Sequence, residues 1–423
     1  MVEPTPRRLG LFEGYGVELE YMIVSDRTLD VLPVCDRVIE AAAAALGQVR
    51  TESHPGDVGF GELAWSNELA LHVLEMKTDA PVSGLDGLAA RFQDSVRRAN
   101  ALLRPLGGRL LPGGMHPWMD PFREMRLWPH EYGPVYHLLD RLFDCRGHGW
   151  ANLQSVHLNL PFADDEEFGR LHAAIRLLLP ILPAIAASSP AMDGAVGRRL
   201  DHRLDVYRSN AKRMPVLTGA VVPEPVFSEA AYSDGIYARI DEALAAHDPE
   251  RILNHIWMNA RGAIARFDRG AIEIRVLDIQ ERPAADLAVL ATIASTLKAI
   301  VEERWSSYGR QKAWPVEPLH RQLLRCIDEG EQAVVDNPDY LAMFGLPERP
   351  ATAQAVWRWL VEEAPPAAEF VPAVELILDQ GPLARRLLAA FGPCPDRERL
   401  VRVYRHLADC LEHGDAFDAG ALS

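Results

Sequence analysis

Cysteine is scarce in this chain and carries no pattern. Five are scattered among 423 residues (Cys35, Cys145, Cys326, Cys394, Cys410), an odd number without a C-x-x-C pair. That argues against a disulfide framework or a zinc knuckle and fits reduced thiols in a cytoplasm. A cationic excess is also missing. Sixty acidic side chains against 44 basic ones leave a formal charge of −16, so nucleic acid is not an expected partner. A small anion is still acceptable where metal ions or local arginines screen it. The opening MVEPTPRRLGLFEG has no apolar core of the secretory kind. The most apolar long run, LLLPILPAIAASSPAM near 177–192, is interrupted by Pro180, Pro183 and Pro190. It reads as a buried helix and its exit, not as a membrane span.

Several nucleotide and metal signatures are absent as well. G-x-x-x-x-G-K-[ST], G-x-G-x-x-G, H-E-x-x-H and a D-x-D-x-D-G loop do not occur, which argues against a P-loop, a dinucleotide fold, a zincin and a calcium loop. A nucleotide would have to be held through metals and arginines instead. No repeat period stands out. The expectation is a soluble cytoplasmic protein with a large core.

What is present begins with GVELEYMIV (16–24). Apolar and aromatic residues behind a glycine read as a strand, yet Glu18 and Glu20, two apart, share one of its faces. A helix over 34–48 is expected to end at Gly47. FGELAWSNELALHVLEMKTDAP (60–81) reads as strands with a turn near Ser66–Asn67, and a long helix follows over 84–106. NLQSVHLNLPF (152–162) is a further strand, with Ser155, His157 and Asn159 on one face and Val156, Leu158 and Leu160 on the other. That division suits an antiparallel sheet with one side lining a cleft. An acidic helix start at ADDEEF, a strand pair around FDRG within 262–280 and a helix over 284–303 complete this part. The rest, 316–423, reads as mostly helical. Strands and helices interleave without βαβ rhythm, which favours an α+β fold.

The ionisable residues on these strands are Glu18, Glu20, Glu68, Glu75, His157, Glu273 and Arg275. Each neighbours aliphatics, and a buried carboxylate needs a cation or a proton. Carboxylates with one imidazole suit Mg²⁺ or Mn²⁺. Taken singly, each has a plainer reading: a solvated outer glutamate, a cross-strand ion pair for Glu273–Arg275, a hydrogen-bonded structural histidine. The recurrence on four strands is what favours a metal site.

The order GVELEYMIV, NELALHVLEMKTDAP, GGMHPW, SVHLNLPF, LLPILPAIAASSPAMDG, YRSNAKRMPVLTG and AIEIRVLDIQ, over about 14–305, resembles the glutamate–cysteine ligase type 2 family, which includes carboxylate–amine ligases. The resemblance implies a glutamine-synthetase-like fold: a curved, mainly antiparallel sheet forming a funnel, with helices outside. It implies ATP-dependent joining of a carboxylate, such as the side chain of glutamate, to an amine such as cysteine, through an acyl phosphate and with release of ADP. Two or three Mg²⁺ or Mn²⁺ ions would then be held by Glu18, Glu20, Glu75, His157 and Glu273. Glu68 is a further candidate, although its odd offset from Glu75 requires a bend. Arg275, with Glu273 one of the two catalytic candidates, would meet the transferring phosphoryl group, and Arg266 a phosphate or substrate. Arg208, His116 and Asn159, and more weakly Gln154, match substrate-pocket positions.

Three departures touch the pocket more than the metals. Ser155 replaces the first histidine of H-V-H-V-G, G-M-H-P stands for G-T-H-P, and NARGAIARFDRG offers Arg261 or Arg266 where an arginine–proline pair is usual. The amine is therefore open. A metal-dependent amide hydrolase and a catalytically retired binding protein are the competing readings. Residues 1–305 are expected to form the catalytic domain, and 306–423 a mostly helical extension, either a lobe packed as part of the same domain or a partner surface. No membrane is expected as a partner, and a homo-oligomer is compatible with the sequence.

Overall fold

The computed structural model describes residues 8–48 and 56–422. Ten strands precede the helix Pro283–Val301: β1 (Gly16–Ser25), β2 (Asp57–Gly59), β3 (Leu63–Asn67), β4 (Val73–Thr78), β5 (Gly108–Leu111), β6 (Ser155–Pro161), the short hairpin β7 (Ala191–Met192) and β8 (Ala195–Val196), β9 (Ala263–Arg266) and β10 (Ala271–Asp278). Eight of them form one sheet of order β2-β3-β4-β1-β6-β10-β9, with β5 pairing the far end of β1. Every pairing in it is antiparallel. The fold is thus α+β with an antiparallel sheet, as the interleaving of elements suggests.

Period-2 patterning divides the sheet into two faces. Val17, Leu19 and Tyr21 of β1, Leu74 and Met76 of β4, Val156, Leu158 and Leu160 of β6, and Ile272 and Ile274 of β10 are buried on one side, in a single large core. Helices cover that side. The longest, Pro283–Val301, is buried almost all round and packs on Leu88–Leu103, Asp165–Leu178, Ala353–Glu363 and Val371–Gln380. It is also the one described helix apolar and long enough to match a membrane span. The proline-broken stretch near 177–192 is shorter: the helix Asp165–Leu178, a 3₁₀ turn and the short helix Pro183–Ala186.

Two local expectations change. The connection between β3 and β4 lies at 68–72, not at Ser66–Asn67, because both of those residues are engaged within the sheet. Ser66 pairs with Glu75 across to β4, and the Asn67 amide donates to the Glu68 carbonyl and to the Tyr136 hydroxyl. Glu68 therefore sits in a connection, where strand parity does not apply. The helices beyond 305 share the core: the Trp357 indole donates to the Ile181 carbonyl (2.8 Å), Tyr340 to the Leu177 carbonyl (2.6 Å), and Arg386 pairs with Glu281 (2.7 Å) with both side chains buried.

Candidate active site

The polar face of the sheet is the floor of a cleft of about 1270 Å³. Register brings the charged residues together. Glu18 stands opposite Lys77 on one side and His157 on the other, Glu20 opposite Glu75, and Glu273 opposite Asn159. Each pair shares a face because directly opposed residues of an antiparallel pair point the same way. The glutamates spaced i, i+2 in β1 thus meet partners from both neighbouring strands.

At the centre, one ligand atom each from Glu18, His157 and Glu273 lie within 4.8 Å of one another. His157 Nδ1 is 2.6 Å from Glu18 Oε2 and 3.7 Å from Glu273 Oε1, and its Nε2 is 3.7 Å from Glu20 Oε1. The Asn159 amide donates to Glu18 Oε1 (3.1 Å). Ser155 donates to Glu20 Oε2 through its backbone N–H (2.7 Å) and its hydroxyl (2.8 Å). The serine that departs from the family motif thus fixes a carboxylate. Glu20 and Glu75, like charges face to face, would repel each other. Lys77, unremarked in the sequence, relieves this: its Nζ is 3.1 Å from Glu75 Oε2, 3.2 Å from Asp57 Oδ1 and 2.8 Å from Ser66 Oγ. The signal for it was its i, i+2 spacing from Glu75.

Protonation follows from this crowding. Burial opposes charge on His157, but the Glu18 hydrogen bond and the surrounding carboxylates lift it to about 9. Burial pushes Glu18 up, and His157, Lys77 and Arg275 outweigh that and hold it at about 2. Burial and the Glu18 charge raise Glu75 to about 7 despite Lys77. Burial and the neighbouring Glu20 and Glu75 raise Glu68 well above the carboxylate range. A floor this rich in carboxylate suits a divalent cation better than a monovalent one, and its donors, oxygen with one imidazole, are those of Mg²⁺ or Mn²⁺.

Arginines stand beside these acids. Arg275 Nε donates to Glu273 Oε1 (3.0 Å) and its Nη2 donates to the same oxygen. Burial works against its charge, and Glu273 and Tyr207 raise its basicity. Arg266 pairs with Asp268 (3.0 Å), lies 3.9 Å from Glu273 Oε2 and lines the cleft with Arg8 and Arg269. Tyr136, Leu139, Trp150 and Leu153 give the cleft an apolar wall.

Glu18, Glu20, Glu68, Glu75, His157, Asn159, Glu273, Arg266 and Arg275 all line this cleft. His116 and Arg208 do not. His116 is fully buried; its Nε2 meets the Leu29 carbonyl (2.7 Å), its Nδ1 accepts from the Trp118 N–H (3.3 Å), and burial lowers it to about 4. Arg208 is partly exposed and paired with Asp205 (2.7 Å). Arg261 is buried against Glu224, and Gln154 is buried outside the lining. The residues that do face the cleft from the Arg208 helix are Arg203 and Tyr207, one helical turn apart and therefore on a common face.

Known proteins resemble this chain over most of its length. The family model described as Glutamate-cysteine ligase family 2 (GCS2) matches residues 15–406. An uncharacterized protein of Archaeoglobus fulgidus is 29% identical over 405 residues, spanning 95% of this chain and 99% of its own. A Rubrobacter xylanophilus protein with the provisional name glutamate–cysteine ligase 2-3 is 26% identical over 293 residues, 68% of this chain and 69% of its own. Among solved structures, glutamate–cysteine ligase from Francisella tularensis, in complex with AMP, superposes with a TM-score of 0.58 at 13% identity, covering 94% of this chain and 88% of that one.

Proposed function

This chain belongs to glutamate–cysteine ligase family 2, and from that premise we propose that it is an ATP- and Mg²⁺-dependent carboxylate–amine ligase. The acid would be glutamate or a related compound, the amine cysteine or another primary amine. The observation that carries the reading is the convergence of Glu18, Glu20, Glu75, His157 and Glu273 from four adjacent strands, with Arg275 on Glu273. A ligase of this kind must bring a polyphosphate and a carboxylate together despite like-charge repulsion. A glutamine-synthetase-like funnel is the architecture this reading expects around such a floor.

Mg²⁺ or Mn²⁺ held by Glu18, Glu20, Glu75, His157 and Glu273, with Glu68 at the edge, would supply charge neutralisation and polarise the γ-phosphoryl group. To hold the ion, Glu18 and Glu273 would present carboxylate oxygens, and His157 would lose to solvent the proton it shares with Glu18. Arg275 turns part of its guanidinium fork from Glu273 to the transferring phosphoryl oxygens, a planar anionic target that suits it. Arg266, with Arg8 and Arg269 near it, receives the remaining phosphate charge. Asn159 holds Glu18 in orientation. An oxygen of the substrate carboxylate attacks the γ-phosphorus and ADP leaves. The neutral amine nitrogen then attacks the acyl phosphate carbon, the C–O bond to phosphate breaks, inorganic phosphate leaves, and the nitrogen passes one proton to the departing phosphate or to water, leaving an amide.

The test is ADP release from ATP and Mg²⁺ in the presence of L-glutamate and a panel of amines, with the amide detected by mass. Release that needs both acid and amine is the expected result. Amide chemistry that proceeds without ATP would replace this reading.

A further inference from the structure

β10 and β6 do not run in step. Glu273 faces Asn159 and Ile274 faces Leu158, but pairing resumes at Leu277 opposite Val156 and Asp278 opposite Ser155. β10 takes three steps where β6 takes two, so a bulge lies at Arg275–Val276. Glu273 and Asp278, five residues apart, would occupy opposite faces of a regular strand. The bulge brings Asp278 to the face of Ser155, His157 and Asn159.

A bulge disturbs the ladder and leaves carbonyls to be satisfied elsewhere. The Arg275 carbonyl is met by Arg203, whose Nη2 donates to it at 2.8 Å. Arg203 Nη1 lies 3.2 Å from Asp278 Oδ1. Asp278 Oδ2 in turn accepts from the Ser188 N–H (2.8 Å) and the Ser189 hydroxyl (2.7 Å). One guanidinium thus ties the bulged residue to the residue where pairing has resumed, and both Arg203 and Asp278 are buried. One turn further along, Tyr207 abuts the Arg275 side chain.

We propose that Arg203 is a positioning residue: its fork clamps the β10 bulge and thereby aims Arg275 at the transferring phosphoryl group. The inference rests on the ligase reading, which gives Arg275 that target. A lysine at 203 keeps the charge beside Asp278 but cannot span both partners, because its single ammonium lacks the fixed fork.

The test is steady-state ADP release by full-length Arg203→Lys, Arg275→Lys and the double variant, against ATP, acid and amine. Arg203→Lys is expected to lower kcat about 100-fold, the order of loss that a misaimed group produces, with each KM held within about threefold of the parent protein. The double variant should be no more than about threefold slower than Arg275→Lys, because two residues acting as one unit are not additive. Added guanidinium should restore part of the kcat of Arg203→Ala. An unchanged kcat, a raised acid or amine KM in its place, or two independent multiplicative losses overturns the inference. Ser189→Ala loosens Asp278 more gently and is measured alongside, in case the Arg203 variants unfold. It is expected to lower kcat about three- to tenfold, and full activity counts against the clamp. Parent-level activity in Arg275→Lys would remove Arg275 from phosphoryl transfer and the clamp with it, whereas a parent protein that releases no ADP in response to acid and amine would remove the ligase reading itself.

Discussion

His157 shares a proton with Glu18, and a divalent ion bound by that pair has to displace it. With the imidazole lifted to about 9 and Glu75 to about 7, ion affinity should rise with pH from near 7 and level off above 9. At pH 7.5 binding should release about one proton per site, since ligands must be deprotonated to bind. Calorimetry in two buffers of different ionisation enthalpy measures this, and zero release would take His157 out of the ligand set. The same raised pKa has a stability side. The His157–Glu18 pair contributes fully between about 4.5 and 6.5; its contribution fades as pH rises through 9 and, with Glu18 held at about 2, as pH falls below 4.5. Glu18→Gln and Glu273→Gln keep shape but lose charge; each is expected to cut turnover by at least about 100-fold while circular dichroism stays unchanged. Near-parent activity in both would end the metal assignment. These residues were legible because carboxylates recur on four strands, where any one of them alone reads as surface. His116 and Arg208 misled because matching a motif position does not say which way a side chain faces.

The sheet carries the same lesson one level up. β1 and β6 announced themselves through alternation, but the short edge strand β2 did not, nor did the β10 bulge, for Arg275–Val276 contains no glycine to mark it. The β3–β4 connection was misread because Ser66 and Asn67 look like turn residues, whereas their polar groups are satisfied by Glu75, Lys77, Glu68 and Tyr136. Gly16 shows why the first motif opens on glycine. A Cβ there would stand 2.9 Å from the Asn159 Cβ on the neighbouring strand. Gly16→Ala should therefore cost about 1–3 kcal/mol through overpacking, read in urea unfolding. It should also lower activity, since it pushes β1 and β6 apart at the Glu18–His157 pair. Unaltered stability and kinetics would mean that the sheet absorbs the methyl without disturbing the floor.

Across the whole molecule, the C-terminal helices are structural partners of the sheet domain. The family match runs to residue 406, well past AIEIRVLDIQ, the last motif legible by eye. Those helices are amphipathic, and amphipathicity marks a buried face without naming what covers it. Arg386 and Glu281 form a buried pair across this junction. Arg386→Ala strands the Glu281 charge and should cost about 3–5 kcal/mol, with the whole chain still unfolding in a single transition by fluorescence and circular dichroism. A chain ending at 305 should lack fixed tertiary packing, visible as lost near-ultraviolet dichroism. A cooperatively folded 1–305 fragment would instead make the C-terminal part dispensable.

The helix Pro283–Val301 leaves the ribosome before the segments that shield it, Ala353–Glu363 and Val371–Gln380, have been translated. At roughly 5–20 residues per second, this oily cylinder waits for several seconds with only the sides that meet Leu88–Leu103 and Asp165–Leu178 able to be covered.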